Sequence, residues 1–303
     1  MTNDSLFLDG IEVKDEVYDT IRDSQEPYVV GIKSFLEELW QKYRPYSDTN
    51  FRQQIQIDFD SRFWEMYLVC TLLENNLPVK PKVKVTGPDI LIEHSNGRIW
   101  IEAIAPTSGS ENNPDQVPSL QIGEPTQVPE EQIVLRYGSA ISEKFEKKYY
   151  KYLVNGVILP ADAYVIAINS CKIEAAQMES TPPKILKAVF PIGHRQVTID
   201  KKSKKIVHNG FEPRNSIKRA KGAEVATDLF LNPKYKNLSG IIYSRVGIRK
   251  IPERIGEDFV FIHNPLAKNP ISHGFLKVGT EYIAYEKANS YEIQQTSWNG
   301  SND

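Results

Sequence analysis

The sequence predicts an α/β protein in which helices pack on a central sheet, and three observations lead there. Stretches with apolar residues at helical spacing are interleaved with short continuous apolar runs of the kind found in strands covered on both faces. An Asn96-Gly97 pair separates two apolar segments, which is a hairpin signal. The 303 residues are 40% hydrophobic and 10% aromatic, enough for a sizeable core.

Taken in order, residues 15–44 place Val17, Ile21, Ile32, Phe35, Leu36, Leu39 and Trp40 at helical spacing, interrupted near Pro27, and predict a helical N-terminal arm over residues 1–50. Residues 61–76 (SRFWEMYLVCTLLENN) are apolar almost all round and read as a buried helix whose one mid-helix charge is Glu65. Residues 79–85 alternate Val and Lys as a strand would, and GPDILIE, HSNG and RIWIEAIA follow as a hairpin. Residues 106–132 carry Pro, Ser, Asn and Gln with little periodicity and predict a long inserted loop. Residues 139–154 space Ile141, Phe145, Tyr149, Tyr152 and Leu153 helically beside a cationic face. YVIAINS at 164–170 reads as a central strand, and 240–244 and 259–263 repeat its character. Residues 195–209 alternate around a polar turn and predict a hairpin appendage. No linker divides the chain, so residues 51–290 are expected to form one core, with 291–303 a flexible tail.

The bulk numbers exclude several classes. Lys+Arg 37 against Asp+Glu 39 gives a net charge of -2, so a polyanion would have to be met by a local basic surface. Cys70 and Cys171 fall in apolar segments, as reduced thiols of a cytoplasmic protein would. The N-terminus has no basic and apolar leader pattern, and no run is long enough to span a membrane. The five histidines show no HExxH or HxH spacing, and there is no GxSxG, Walker A or GxGxxG pattern. His263-Asn264 lies at a strand end where open sheets often place sites, but the reading preferred is a strand running into a Pro-bounded loop.

The hairpin supplies the chemistry. With Asn96-Gly97 as the turn, 95 faces 98, Leu91 faces Glu102, and Asp89 faces Ile104. Asp89 and Glu102 are then diagonal neighbours on one face, close enough to chelate one divalent ion. Asp89 is also explained as a turn residue after Gly87-Pro88, and Glu102 as a residue on a solvated face. A carboxylate inside IWIEAIA, however, requires a cation or a proton. Glu65 has a second explanation too, a salt bridge to Arg62 or another basic residue.

A helix bearing Glu, then G-P-D, a hairpin, a hydrophobic-E strand, a basic helix and an apolar strand resembles the PD-(D/E)XK nuclease superfamily over residues 61–170. The resemblance implies a restriction-endonuclease-like fold, a mixed central β-sheet flanked by helices. It also implies that Asp89 and Glu102 hold Mg²⁺ or Mn²⁺, with the carbonyl of Ala103 and the carboxylate of Glu65 assisting. One position departs from the pattern: Ile104 stands where the E-x-K lysine belongs. Lysines migrate to a neighbouring helix in this superfamily, and Lys144 is the expected replacement, with Lys147, Lys148 and Lys151 on the cationic face as phosphate contacts. The implied activity is a metal-dependent phosphodiesterase acting on nucleic acid, DNA ahead of RNA, in restriction or defence, with a homodimer admitted. KFEKKYYKY and KKSKK at 201–205 would supply the grip. Ile104 equally supports a nuclease fold without catalysis that serves as a binding or assembly module.

Overall fold

The computed structural model describes residues 5–8, 13–82, 86–95, 97–121, 123, 127–287 and 290–298, residues 208 and 290 by their backbone alone. Helix α1 (Glu16–Asp23) starts where the Asp15 carboxylate accepts the N–H groups of Val17 and Tyr18, a regular N-cap. Helix α2 (Pro27–Tyr43) begins on Pro27, whose missing N–H costs nothing at a first helical position. After the short α3 (Phe51–Gln54) comes α4 (Phe59–Glu74), buried without interruption from Phe63 to Leu72. An all-round apolar helix needs cover on every side. α2 supplies it on one side and the sheet on the other, where the Trp64 indole donates to the Ala167 carbonyl at 3.1 Å.

Strands β1 (Val79–Lys80), β2 (Ile90–His94) and β3 (Gly97–Ile104) follow. Helix α5 (Glu130–Glu143) continues through a π-helical stretch, Lys144–Tyr149, into α6 (Tyr150–Val154) and leads to β4 (Ala163–Asn169). Next come α7 (Leu186–Val189), the hairpin of β5 (Ile192–Ile199) and β6 (Ile206–Pro213), and the small ladder of β7 (Ser216–Lys218) and β8 (Glu224–Ala226). The chain ends in β9 (Gly240–Ser244), β10 (Val260–His263), β11 (Gly279–Lys287) and β12 (Ser290–Trp298).

Eight strands form one mixed sheet in the order β1-β2-β3-β4-β9-β10-β11-β12. The pairs β3–β4, β4–β9 and β10–β11 are parallel, the others antiparallel. The continuous apolar runs follow from this position. Along β4, Val165 and Ala167 enter the core shared with α4, while Tyr164, Ile166 and Ile168 enter a second core against α5. The protein is thus a mixed α/β molecule with a central sheet flanked by helices.

Four expectations change in detail. The N-terminal helices are not an arm: Leu36, Leu39 and Trp40 pack into the same core as α4 and the sheet, because α4's outer face needs cover. The hairpin appendage reaches beyond 195–209 at both ends and forms its own two-stranded sheet. The tail is structured through Trp298, since β12 pairs with β11 along its length and buries part of Tyr291 and Ile293; residues 299–303 lie outside the described residues. The long loop closes at Pro129, because 130–132 are already helical. Of the strand expected over 79–85, Val79–Lys80 is present and 83–85 lie outside the described residues. Among the described residues no helix is long and apolar enough to cross a membrane.

Candidate active site

A cleft of about 460 Å³ opens at the C-terminal end of β3, lined by Asp58, Ser61, Arg62 and Glu65 of the α4 segment, Asp89, Ala103, Ile104, Ala105 and Lys144. The β2–β3 register brings these residues together. His94 pairs with Gly97 and Ile90 with Ile101. The turn therefore starts at Ser95, one position earlier than an Asn96-Gly97 turn would; Asn96 itself lies outside the described residues. Gly97 is already in the strand, at φ +145°, a conformation that excludes most side chains. The pairing thus moves by two residues, parity is kept, and extending it one step sets Asp89 opposite Glu102 instead of diagonal to it.

Glu102 pairs with Ile166 and shares its face with Trp100 and Ile104, toward α5, whereas Ala103 and Ile101 face α4. Glu65 therefore approaches the strand end from one face and Glu102 from the other, with Asp89 at the edge between them. Asp89 is fixed by the backbone: its Oδ2 accepts the Ala103 N–H at 2.8 Å. Its Oδ1 faces Lys82 Nζ at 3.7 Å. Glu102, 3% exposed, accepts from Lys144 Nζ at 2.7 Å and from the Tyr152 hydroxyl at 3.2 Å. Glu65, 4% exposed, accepts from the Tyr43 hydroxyl at 2.9 Å and from Arg62 at 2.7 Å. The salt bridge to Arg62 that the spacing allowed is present.

Burial pushes the Glu65 carboxyl above the ordinary glutamate range, and the negative charge of Asp89 adds to the shift. Glu102 is raised for the same two reasons in the same order, with Lys144 and Tyr152 opposing. The tyrosines that hold them, Tyr43 and Tyr152, are raised as well, first by burial and then by the carboxylate each one touches. Asp89 is thus the electrostatic hinge of the site, acting on both glutamates.

Lys144 opens the π-wound stretch that continues α5, and its ammonium reaches Glu102. In a regular α-helix Lys144 and Lys148 would share a face. Here Lys144 turns into the cleft while Lys147, Lys148 and Lys151 stay exposed, Lys147 beside Glu143 at 3.2 Å. Of the aromatic residues between them, Phe145 and Tyr149 are buried and stack at 5.2 Å, which leaves Tyr150 as the exposed ring of the KFEKKYYKY segment. The second core takes both buried rings.

Sequence reasoning missed Lys82, Tyr43, Tyr152 and Asp48. Tyr152 lies at an apolar position of a helix and Lys82 in the segment just before the hairpin, whereas Tyr43 and Asp48 lie far from the hairpin in sequence and only the tertiary fold brings them in. His263 and Asn264 are structural. The His263 imidazole pairs with buried Glu281 at 2.6 Å, and the Asn264 amide donates to the carbonyls of Tyr235 and Leu238. Burial pushes the Cys70 thiol up to about 12, the state of an inert cysteine. A larger cavity of about 760 Å³ lies at the β11–β12 edge of the sheet, walled by Phe190, Phe211, Tyr282 and Tyr291. Size does not decide the matter, since the convergent titratable groups are in the smaller cleft.

Oxygen donors from Asp89, Glu65, Glu102 and Ala103 around one strand end have the hard character Mg²⁺ selects. Among the described residues no three acidic, imidazole or thiol groups stand close enough to hold one ion as they lie. Asp89 is held by the Ala103 N–H, while each glutamate is engaged by a cation and a tyrosine hydroxyl. No protein-family model, no curated protein and no solved structure matches this chain.

Proposed function

We propose that this chain is a metal-dependent phosphodiesterase of the PD-(D/E)XK, restriction-endonuclease-like kind, acting on nucleic acid, DNA ahead of RNA. One observation carries the reading: a lysine from the following helix, Lys144, stands 2.7 Å from Glu102 in a cleft shared with Asp89 and Glu65, where Ile104 leaves the usual lysine position apolar. Asp89, Glu102, Glu65 and the Ala103 carbonyl are the residues that would hold Mg²⁺ or Mn²⁺. Such an ion supplies Lewis-acid polarisation of a phosphodiester and activation of water.

The chain's own groups divide the remaining work. The Ala103 N–H fixes the Asp89 carboxylate so that one oxygen stays turned to the charged interior. Lys144 lines the cleft and keeps a positive charge beside Glu102, where it can steady charge developing on a phosphoryl oxygen. Tyr152 holds the other Glu102 oxygen, and Tyr43 with Arg62 orients Glu65. Exposed Lys147, Lys148 and Lys151 lie on the same helical segment and can meet backbone phosphates outside the cleft.

A second reading, a nuclease fold used as a binding module, is favoured by the pairing of each acid with its own cation: Arg62 on Glu65, Lys82 near Asp89, Lys144 on Glu102. Incubation with plasmid and single-stranded DNA in Mg²⁺ or Mn²⁺ separates the two. Cleavage is expected for the wild type and a loss of at least about a hundredfold for Asp89→Ala, the scale of removing one transition-state electrostatic group. Equal cleavage by both proteins takes Asp89 out of catalysis; no cleavage together with retained nucleic-acid binding favours the module.

A further inference from the structure

Lys82 stands in an unusual position for a buried lysine. Its Nζ lies 3.7 Å from Asp89 Oδ1, 3.8 Å from Glu65 Oε1 and 3.9 Å from Asp48 Oδ2, and 13% of its side chain is exposed. All three distances exceed hydrogen-bond reach. Lys144, by contrast, settles on a single carboxylate at 2.7 Å. An ammonium spread over three acids is held by charge, which falls off slowly with distance, and forgoes the directional bond that would lock it to one partner. Two of those acids, Glu65 and Asp89, are residues proposed above to hold the metal. Lys82 comes from the segment between β1 and β2, Asp48 from the turn before α3, and Glu65 from α4, so three separate elements converge on one positive charge.

We infer that Lys82 is an internal counter-cation that competes with a divalent ion for Glu65 and Asp89 and thereby sets the metal affinity of the site. The inference rests on the metal-dependent reading above. With Lys82 in place, the acids are partly neutralised and an arriving ion meets a resident positive charge. With the ammonium gone, the same carboxylates present their full charge to the ion. Asp48 has a part in this arrangement: by drawing the ammonium toward itself, it keeps Lys82 from closing on the other two acids.

Isothermal titration of Mn²⁺ into the full chain tests the idea without reference to cleavage. The set is wild type, Lys82→Gln, Lys82→Arg and Asp89→Asn, with circular dichroism as a check on folding. Lys82→Gln is expected to bind at least about tenfold more tightly than wild type, and Lys82→Arg, which keeps the charge, to stay within about threefold of it. A Kd for Lys82→Gln equal to or weaker than wild type overturns the inference. If wild type binds, Asp89→Asn does not, and Lys82→Gln is no tighter, only the role of Lys82 fails. If neither wild type nor Lys82→Gln takes the ion, the metal-dependent reading fails and the inference falls with it. Should Lys82→Gln not fold, Lys82→Met, which retains the aliphatic stem, replaces it. Asp48→Asn reads the competition from the other side. Asparagine keeps the oxygen that accepts the Asn50 N–H at 3.0 Å, and loss of the Asp48 charge is expected to raise the Kd by about threefold as Lys82 leans on Glu65 and Asp89. An unchanged Kd there overturns the inference as well.

Discussion

Glu65 concentrates the electrostatic tension of the site in one side chain. It is almost fully buried and sits near a second carboxylate, Asp89, so its protonated form is favoured in the folded state relative to the ordinary 4.5. A folded-state pKa above the unfolded one means that the folded chain binds more protons between the two values. The stability this group contributes is therefore complete below 4.5 and is lost as pH rises through the raised pKa. Glu65→Gln removes that titration. Thermal melts from about pH 5 to about pH 8 should show the variant gaining on the wild type as pH rises, whatever the fixed offset from leaving Arg62 without its partner. A difference in Tm that does not change with pH would show that Glu65 stays ionised throughout. Glu102 carries the same sign for the same causes, and in both glutamates neighbouring cations and a tyrosine hydroxyl oppose the shift: Lys82, Arg62 and Tyr43 at Glu65, Lys144 and Tyr152 at Glu102. That Glu65, Asp89 and Glu102 share a strand end was legible in the sequence because a carboxylate inside an apolar segment demands a partner. Which cation each acid meets was only partly legible. Arg62 is local to Glu65 on the same helix and Lys82 lies in the alternating Val/Lys segment just before the hairpin, whereas the Tyr43 hydroxyl comes from a helix with no sequence pattern that points at the cleft.

Among the elements, the π-wound stretch between α5 and α6 carries both Lys144, which meets Glu102, and Phe145 and Tyr149, which stack in the core. Amphipathic spacing gave the helix and its cationic face, and it could not give the π turn, since apolar periodicity is insensitive to one slipped hydrogen bond. Hairpin parity was legible for a related reason: side chains alternate with period two, so a turn displaced by one position on each strand moves the register by two and leaves the faces unchanged. Because Lys144 and Glu102 are held by different elements, their coupling measures how firmly the helix is set on the sheet. Lys144→Ala leaves Glu102 buried without an ammonium. The expected loss is about 2–3 kcal/mol in urea unfolding, below the roughly 3–5 of a fully buried pair, because a fifth of the Lys144 side chain remains exposed at 20%. In a Glu102→Gln background the same substitution should cost well under half as much, since no buried charge is left behind. Additive effects would mean that the lysine and the carboxylate are neighbours without being energetic partners.

At the scale of the molecule, the central strands were readable from continuous apolar runs, and the β11–β12 edge was not. Edge strands are solvated on one side, and SYEIQQTSW buries only part of Tyr291 and Ile293, so its polar character suggested a tail. The charge pattern has the opposite legibility. A chain of net charge -2 would have to gather positive charge locally to hold a polyanion, and the sequence clusters lysines at 201–205. Lys201, Lys202, Lys204 and Lys205 all lie exposed at the tip of the β5–β6 hairpin, which has its own small sheet and projects from the core. Lysines that meet phosphates release condensed counterions, so their removal must lower the salt dependence of binding along with the affinity. Each lost contact to duplex DNA reduces the slope of log K against log salt by about 0.9. Replacing the four hairpin lysines with alanine is therefore expected to reduce that slope by about 2–4 and to weaken binding equally on unrelated sequences, as read by fluorescence anisotropy over a salt series. Asp89→Ala, which alters the cleft and not the hairpin, should leave the slope where it was. A slope unchanged by the hairpin substitutions would assign the grip elsewhere, with Lys147, Lys148 and Lys151 beside the cleft as the next exposed cations to remove.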